Sequence, residues 1–246
     1  MEVTLAAEKI FEIGNFPVTN TFITTWIAAL LLIVVSFFAT RDMKKVPSGL
    51  QNFMELVVET LYNQVEGLAF EKAKVFFPWV ATFFIFIITA NYLGLMPGFG
   101  SIGFTEIEQG KEVFVPLLRT INSDLNVTLG LALISVIVTH YYAIKYLGIL
   151  EYIKKYISLN PIYLFVGLLE LVAEFTKILS LSFRLFGNIF AGEALITTIS
   201  SMAAFVVPLP FMMLELIVGF VQATVFMMLT LVFMVVLTSK HGGEEH

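Results

Sequence analysis

The sequence contains no cysteine, which excludes disulfide bonds, thiolate metal sites and cysteine nucleophiles. Charged residues are scarce as well, at 13% of the chain, whereas a soluble domain usually carries about 25%. No phosphate-binding loop, dinucleotide fingerprint or nucleophile elbow occurs, and the dispersed basic residues do not indicate nucleic-acid binding. We therefore expect no cofactor and no enzymatic site formed by this chain alone.

Histidine is rare too, and the three residues His140, His241 and His246 lack the spacing of a metal site. The two in the tail could bind a metal, but a solvated tail is the simpler interpretation. The first twenty residues have no basic segment followed by an apolar one, so we also expect no cleavable signal peptide.

Hydrophobic residues make up 58% of the sequence, and apolar runs long enough to cross a membrane core of about 30 Å recur along it. We therefore expect an all-α integral membrane protein that forms a single membrane domain over residues 1–246. Five embedded helices are predicted, at about residues 22–40, 75–95, 127–147, 161–200 and 209–239.

The fourth predicted helix contains no proline after its first residue. About 40 residues at 1.5 Å each would measure about 60 Å, twice the membrane core, so this helix must tilt steeply or bend. Pro208 and Pro210 mark a turn before the last long helix. We expect the last two helices to form an antiparallel hairpin with its apex near residue 203.

Residues 50–68 have a different pattern, with apolar residues at helical spacing on one face and polar, mostly acidic residues on the other. This pattern predicts an amphipathic helix that lies on the membrane surface. Its acidic face is unusual for a free interfacial helix, so packing against partner subunits is an equal possibility.

The distribution of basic residues predicts the orientation of the chain. If the N-terminus lies outside, the loops on the other side contain Arg41, Lys44, Lys45, Lys72, Lys74, Lys145, Lys154, Lys155 and Lys240. The outer side then contains only Lys9, Lys111 and Arg119. The positive-inside rule therefore predicts an outer N-terminus and a cytoplasmic C-terminus.

Six charged or amide residues lie in the fourth predicted helix, namely Glu170, Glu174, Lys177, Arg184, Asn188 and Glu193. At 100° per residue the first five form one stripe about 80° wide, and Glu193 falls on the opposite face. Glu174 and Lys177 could form an ion pair that ties the helices together, and for Lys177 a structural and a functional role are both open. Arg184 has no acidic residue within one turn, which favours a functional role because a charge in hydrocarbon is costly.

In the predicted hairpin, Arg184 and Gln222 are equally far from the apex and therefore lie at one depth. Glu193 and Glu215 share a second level, nearer the outer surface. Two carboxyl groups at one depth would form a proton-accepting cluster, and their repulsion should keep at least one protonated near neutral pH. The alternative is two independent glutamates that face lipid headgroups.

The segment 181–193, with the sequence LSFRLFGNIFAGE, closely resembles the signature of the subunit a family of F-type ATP synthases, L-x-x-R-L-F-G-N-x-x-A-G-E. Glu215 together with residues 222–230 (QATVFMMLT) gives a second match, and residues 123–129 (SDLNVTL) give a third. Residues 47–52 (PSGLQN) are similar to the start of that family's surface helix. The resemblance covers most of the chain.

The resemblance implies a role for each matching residue. Arg184 matches the essential arginine that faces the rotating c-ring, and Asn188 and Gln222 match its polar neighbours. Glu193 and Glu215 match the outer half-channel pair, although some members have histidine in this pair. Three further positions match polar residues at the channel mouths: Asp124 and Asn126 on the outer side, and Glu170 on the inner side.

By this resemblance, an ion would enter past Asp124, Glu193 and Glu215, load a carboxylate of the ring and leave past Glu174 and Glu170. A guanidinium stays protonated, so Arg184 could pair with the passing carboxylate and keep the two half-channels apart. The implied partners are the c-ring, the peripheral-stalk b subunits, other ATP synthase subunits and membrane lipid, in a bacterial inner membrane. H⁺ and Na⁺ both remain open as the coupling ion.

Two other classes of protein would use the same buried charges differently. A stand-alone secondary transporter or proton channel is one, but the inverted repeats that would favour it are not found in the sequence. A purely structural membrane scaffold is the other, and it leaves Arg184 without a role. Co-purification with a ring of small hairpin proteins would distinguish a subunit of an ATP synthase from both of these other classes.

Overall fold

The computed structural model describes residues 7–14, 16–96, 98–100, 102–108, 111–156, 161–202 and 206–239. Seven α-helices occur in this part of the chain: α1 (Asn20–Thr40), α2 (Leu50–Ala69), α3 (Ala73–Gly94), α4 (Leu125–Leu147), α5 (Ile149–Tyr156), α6 (Pro161–Met202) and α7 (Pro208–Thr238). Two 3₁₀ turns lie at Phe70–Lys72 and Ile121–Ser123. The helical bundle confirms the prediction of an all-α integral membrane protein.

Helices α3, α4, α6 and α7 pack around one apolar core. Its fully buried side chains include Phe76, Ile87, Leu185, Phe226 and Leu231. In contrast, large apolar side chains cover the outer face of α1: Trp26, Leu30, Ile33, Phe37 and Phe38 are all exposed. Such a surface suits hydrocarbon, because apolar patches of this extent are rare on soluble monomers.

Short polar side chains connect the helices inside the bundle. The hydroxyls of Ser135 (α4) and Thr230 (α7) hydrogen-bond to each other at 2.8 Å. Asn91 Nδ2 (α3) donates to the carbonyl oxygen of Gly219 (α7) at 3.1 Å. Hydroxyl and amide groups hold helices together in membranes, where lipid provides little hydrophobic drive for helix association.

Two β-hairpins lie where no strand was predicted. Strand β1 (Lys9–Ile13) pairs with β2 (Phe16–Thr19), and β3 (Gly103–Glu108) pairs with β4 (Lys111–Pro116), both antiparallel. The predicted helices left the segment between α3 and α4 without a regular element, and the structure has β3 and β4 there. The four strands are only four to six residues long, so hydrophobic alternation along them is too short to predict them.

Four helical stretches in the described part of the chain are long and apolar enough to cross a membrane: Asn20–Thr40, Leu50–Gly94, Leu125–Leu147 and Pro208–Thr238. Helix α6, although 42 residues long, is not among them. Its polar stripe lowers its apolar character, so its place in the membrane stays a prediction. At 1.5 Å per residue it is about 63 Å long, which requires a tilt or a bend if it is embedded.

The amphipathic segment forms α2, which starts at Leu50 as expected and ends at Ala69. Its residues Leu61 and Val65 are buried against the bundle core, and its acidic residues Glu55 and Glu59 are exposed. A position at the membrane surface or against a partner subunit therefore stays a prediction, as does the assignment of residues 1–246 to one domain. The tail with His241 and His246 and the predicted apex at residue 203 lie outside the described residues.

Candidate functional site

Arg184 and Gln222 were predicted at one depth, and the structure places Asn188, one turn after Arg184, against Gln222. Asn188 Nδ2 donates a hydrogen bond to Gln222 Oε1 at 2.7 Å. Gln222 is buried, whereas Asn188 is exposed. The two long helices therefore pack as antiparallel neighbours at this level. Asn188 lies on the outer face of α6.

Arg184 lies one helical turn before Asn188 and is also exposed. Its Nη2 donates to Ser180 Oγ at 3.2 Å, within the same helix. Among the residues that the structure describes, no carboxylate lies within 4 Å of this guanidinium. The cation thus faces outward from the bundle and is balanced by no carboxylate of the described chain.

Glu193 and Glu215 line one cavity of about 280 Å³, here called the Glu193 cavity. Its wall comes from α3, the segment before α4, α6 and α7, and includes Asn91, Gly94, Leu118, Arg119, Thr120, Ile189, Thr197, Ser200 and Met212. The structure therefore brings the predicted glutamate pair together rather than leaving the two residues independent. Glu193 points away from the face of Arg184, as the helical spacing predicts.

Glu215 is pressed closely against α6. It is 6% exposed, and a Cβ added at Gly192 would lie 1.9 Å from its Oε2 atom. A side chain at position 192 would therefore require this carboxylate to move.

Glu193 lies close to Ser123, Thr120 and Arg119. Within the described residues, its Oε2 atom is buried without a hydrogen-bond partner. A buried carboxylate oxygen is costly unless a donor reaches it. Because the cavity beside it can hold water, this oxygen is suited to accept a proton or a hydrogen bond from a water molecule.

A second space, of about 250 Å³, adjoins the exposed face of α6 and is called the Asn188 groove. Its lining includes Asn188, Gly192, Leu195, Phe211 and Glu215. Glu215 therefore lines both this groove and the Glu193 cavity. A proton on its carboxyl group would be accessible from either space.

Asp124 and Asn126 have a different position from the glutamates. Asp124 caps α4, and its Oδ1 accepts a hydrogen bond from the backbone N–H of Asn126 at 2.9 Å. Neither residue is part of the wall of the Glu193 cavity. The structure thus gives Asp124 a clear capping function at the head of α4, and Arg119 and Thr120 line the cavity instead.

On the other side of Arg184, a groove of about 440 Å³ follows α6 and is called the Arg184 groove. Its polar lining consists of Thr176, Lys177, Ser180 and Arg184, and apolar side chains of α6 and α7 complete the wall. Glu170 and Glu174 do not line it. The two carboxylates predicted on the inner side are therefore not part of the wall of this groove.

Glu174 belongs to a network between α4, α5 and α6, here called the Glu174 cluster. Lys177 Nζ lies 2.7 Å from Glu174 Oε1, so the ion pair considered as a structural role does form. His140 Nε2 lies 3.5 Å from Glu174 Oε2, and His140 Nδ1 hydrogen-bonds to the hydroxyl of Tyr152 at 2.8 Å. This network connects the short helix α5 to α4 and α6.

Glu170 lies one turn before this network and is half-buried. It is close to Tyr156, the last residue of α5. Burial, together with the hydroxyl of Tyr152 and the nearby carboxylates, raises the pKa of Tyr156 above its usual value. Tyr156 therefore stays a neutral phenol beside the inner carboxylates.

Sequence reasoning missed two residues of these clusters. Arg119 was counted only as an outer loop charge, yet it is 6% exposed and lines the Glu193 cavity. His140 was considered only as a metal ligand, and among the described residues no group of three potential ligands could hold a metal. The available signal for His140 was an ionisable residue inside a predicted span, which by itself suggests a functional site.

These features define a class of protein: a multi-pass membrane protein with an outward-facing arginine and separate polar spaces on either side of it. Comparison with known proteins specifies it further. The ATP synthase A chain family matches residues 22–235. Among similar curated proteins, ATP synthase subunit a 3 of Pelobacter propionicus is 37% identical over 213 residues, covering 85% of this chain and 83% of its own length.

Two further relatives show the same coverage, 85% of this chain and 83% of their own length. They are ATP synthase subunit a of Geobacter sulfurreducens, at 36% identity, and of Geotalea daltonii, at 35%. The chain belongs to the ATP synthase subunit a family, which confirms the resemblance found in the sequence. It is therefore a multi-pass membrane-sector subunit of an ATP synthase and takes part in proton transport and ATP synthesis.

Proposed function

We propose that this chain is the static ion path of the synthase. Two half-channels open to opposite sides of the membrane, end at different positions on the c-ring, and are separated by Arg184. The observation that carries this proposal is the exposed guanidinium of Arg184, which meets no carboxylate among the described residues. A charge in the membrane needs a partner, and here that partner comes from outside the chain.

The first half-channel consists of the Glu193 cavity and the Asn188 groove. A proton reaches the cavity from the outer side, passes to the Glu193 and Glu215 pair, and leaves Glu215 through the groove toward the ring. The support for this order is that Glu215 lines both spaces. Asp124 and Asn126 lie at the head of α4 and flank the mouth of this path.

The second half-channel is the Arg184 groove, which continues past Lys177 toward the Glu174 cluster and Glu170. A ring carboxylate that has nearly completed a turn releases its proton into this groove. The pair of Glu174 with Lys177 and His140 keeps the groove polar, and the proton leaves at the cytoplasmic side. Lys177 then has both a structural and a functional part.

Arg184 acts electrostatically and not by proton relay, because a guanidinium remains protonated at every physiological pH. It pairs with the ring carboxylate as that group passes and favours its ionised form. Its charge also repels cations that would cross directly between the half-channels. Asn188 and Gln222 hold the neighbouring surface of α6 and α7 in register through their hydrogen bond.

In this proposal the chain makes no covalent bond and is a non-catalytic subunit. It contacts the c-ring along the exposed face of α6, the b subunits of the peripheral stalk along other surfaces, and lipid along α1. The complex lies in a bacterial inner membrane, with the N-terminus of the chain outside and its C-terminus in the cytoplasm.

The test is purification of the complex in mild detergent, followed by reconstitution in vesicles. A ring of small hairpin subunits should co-purify with the chain, and the vesicles should synthesise ATP when a proton gradient is imposed. A chain that moved protons in vesicles without any ring would be a stand-alone channel or transporter. A complex without ion movement would leave only the scaffold interpretation.

A further inference from the structure

An apolar cavity lies between α1, α2, α3 and α7, away from the polar spaces along α6, and is called the α1–α2 cavity. Its volume is about 580 Å³. Its lining includes Leu31 and Val35 of α1, Met54 of α2, Phe84 of α3 and Phe220 of α7. None of the described residues that line it carries a charge. A cavity of this size and composition is typical of a binding site for an apolar ligand.

The cavity separates part of α1 from the rest of the bundle. Of the apolar stretch of α1, 17% is buried inside the chain, whereas 44% is buried in each of the other three stretches that could cross a membrane. Leu31, Phe53 and Phe220 line the cavity and are also exposed, so the cavity reaches the surface of the bundle. A molecule from the membrane can therefore enter beside α1.

The volume of the cavity decides what kind of apolar group fits. A membrane-spanning helix of about 20 residues is about 30 Å long and at least about 10 Å wide, which corresponds to roughly 2,400 Å³. The cavity holds about a quarter of that volume. A flexible hydrocarbon chain can follow its irregular wall, whereas a rigid helix of a partner subunit does not fit into it.

Arg41, Lys44 and Lys45, here called the basic segment, follow α1 directly and are all exposed. The backbone N–H of Lys44 donates to Gln51 Oε1 at 3.1 Å, and Gln51 Nε2 donates to the Lys44 carbonyl oxygen at 3.0 Å. Gln51 lies in the first turn of α2, three residues before Met54 of the cavity wall. These hydrogen bonds hold the basic segment against the α2 side of the cavity.

The distance from the basic segment to the cavity matches the length of a lipid. Val35 and Leu31 lie six and ten residues before Arg41, which corresponds to about 9 and 15 Å along α1. One leaflet of a hydrocarbon core of about 30 Å is about 15 Å deep. A phospholipid with its headgroup at Arg41 can therefore place an acyl chain beside Leu31.

The charge of this region favours an anionic headgroup. Two carboxylates lie nearby in the sequence, Asp42 and Glu55, and Glu55 Oε1 accepts a hydrogen bond from Gln51 Nε2 at 2.8 Å. The three cations of the basic segment exceed these two carboxylates. Lysine and arginine side chains at a membrane surface attract anionic lipids.

We propose that the α1–α2 cavity binds an acyl chain of one anionic phospholipid, whose headgroup lies at the basic segment. The lipid belongs to the leaflet at the C-terminal end of α1, and its acyl chain fills the space between α1 and the bundle. It is distinct from the lipid that surrounds the outer face of α1. This inference does not depend on the proposed ion path.

The experiment uses the whole complex in vesicles of phosphatidylcholine with a small fraction of phosphatidylglycerol that carries a photoreactive group at the end of one acyl chain. After illumination, the labelled residues are identified by mass spectrometry of peptides. Leu31, Met54 and Phe84 of the cavity should be labelled more strongly than Leu30 and Ile33, which are exposed on the outer face of α1. Added unlabelled phosphatidylglycerol should remove the label from the cavity, and an equal amount of phosphatidylcholine should not.

A cavity-filling variant tests the place of the acyl chain. Leu32 lines the cavity, so Leu32→Trp should occupy part of it and reduce the labelling of Met54 and Phe84. Leu30→Trp is the matched control, because Leu30 is 62% exposed and is not part of the cavity wall. It should leave the labelling of Met54 and Phe84 unchanged.

A charge variant tests the place of the headgroup. Replacement of all three residues of the basic segment by glutamine should weaken the displacement by phosphatidylglycerol by at least about fivefold, which corresponds to about 1 kcal/mol for a single surface cation. The matched control makes the same substitution at three exposed lysines elsewhere in the chain, Lys74, Lys145 and Lys154. Displacement in this control should equal that in the unmodified complex.

Three results would overturn the inference. Equal labelling of the cavity and of the outer face of α1 would show only the surrounding lipid. Equal displacement by phosphatidylcholine would show that the headgroup is not recognised. A helix of another subunit seated in the cavity, seen by electron cryomicroscopy of the complex, would show a protein partner instead. If Leu32→Trp does not assemble, the comparison of the two faces of α1 in the unmodified complex still decides.

Discussion

Asn188 and Gln222 join α6 to α7 through a hydrogen bond of 2.7 Å, one helical turn from Arg184. Seven residues before Gln222, Glu215 fits against Gly192 of the same partner helix. Both contacts belong to one antiparallel register, because residue numbers rise along α6 as they fall along α7. The register sets which polar groups share a depth, and the predictions below depend on it.

The first prediction concerns the charge of Arg184. Arg184→Ala should abolish ATP synthesis driven by an ion gradient, because nothing would then favour the ionised ring carboxylate or block direct ion passage. ATP hydrolysis by the soluble head should persist, and passive proton leak should rise. Arg184→Lys is the matched control for charge, since it keeps a cation but loses the fork of the guanidinium. Normal coupled synthesis in Arg184→Ala vesicles would refute the proposed role.

The second prediction concerns the register of the hairpin. The chain has no cysteine, so pairs can be introduced without background. Cysteines at positions 188 and 222 should cross-link efficiently with a short reagent, whereas a pair at 195 and 222, two turns out of register, should not. In the assembled complex, measured by electron cryomicroscopy, the Cα atoms of Arg184 and Gln222 should differ by less than about 11 Å along the membrane normal, which is two helical turns. A larger separation would show that the predicted hairpin is wrong.

The third prediction concerns redundancy in the Glu193 cavity. Glu193→Gln and Glu215→Gln should each slow proton flux, and the double variant should slow it much more than either, because one remaining carboxyl group can still exchange protons. Glu170 lies on the other side of Arg184 along α6, so it should not substitute for the pair.

The side of access is tested in the same vesicles. Single cysteines at 193 and 215 should react with a membrane-impermeant reagent from the outer side. Labelling of both positions only from the cytoplasmic side would reverse the direction assigned to the path. If Glu193→Gln, Glu215→Gln and the double variant all carried the same proton flux as the unmodified complex, the pair would not be part of the path.

The fourth prediction concerns the space at Gly192. Because a Cβ there would lie 1.9 Å from Glu215 Oε2, Gly192→Ala should displace the carboxylate. An off-rotamer side chain costs about 0.5–1.5 kcal/mol, so flux should fall by about tenfold at most. Gly130→Ala on α4 is the matched control, because its added Cβ would meet no atom within 4 Å.

Rescue decides whether the effect at Gly192 is local. Glu215→Asp shortens the side chain by one methylene group, so it should restore part of the flux in the Gly192→Ala background. If Gly192→Ala and Gly130→Ala had the same proton flux, the close contact between Gly192 and Glu215 would not be needed for proton transfer.

The sequence alone determined the class of membrane protein and the polar stripe of α6. Apolar runs and helical spacing are local properties, so a run of about 20 apolar residues predicts a helix wherever its neighbours lie. The same holds for Arg184, whose isolation from acidic residues within a turn is visible in the sequence and recurs in the structure. The family also followed from the sequence, through residues 181–193.

Only the tertiary structure decided which polar groups meet across helices. Asp124 matches a channel residue in sequence, but the start of α4 uses its carboxylate as a cap. Arg119 was not expected in a site, because its burial comes from contacts with α1 and with the turn at Ser123. His140 reaches Glu174 only because α4 packs against α6. Such contacts depend on the distances between helices, which the spacing of residues within one helix does not contain.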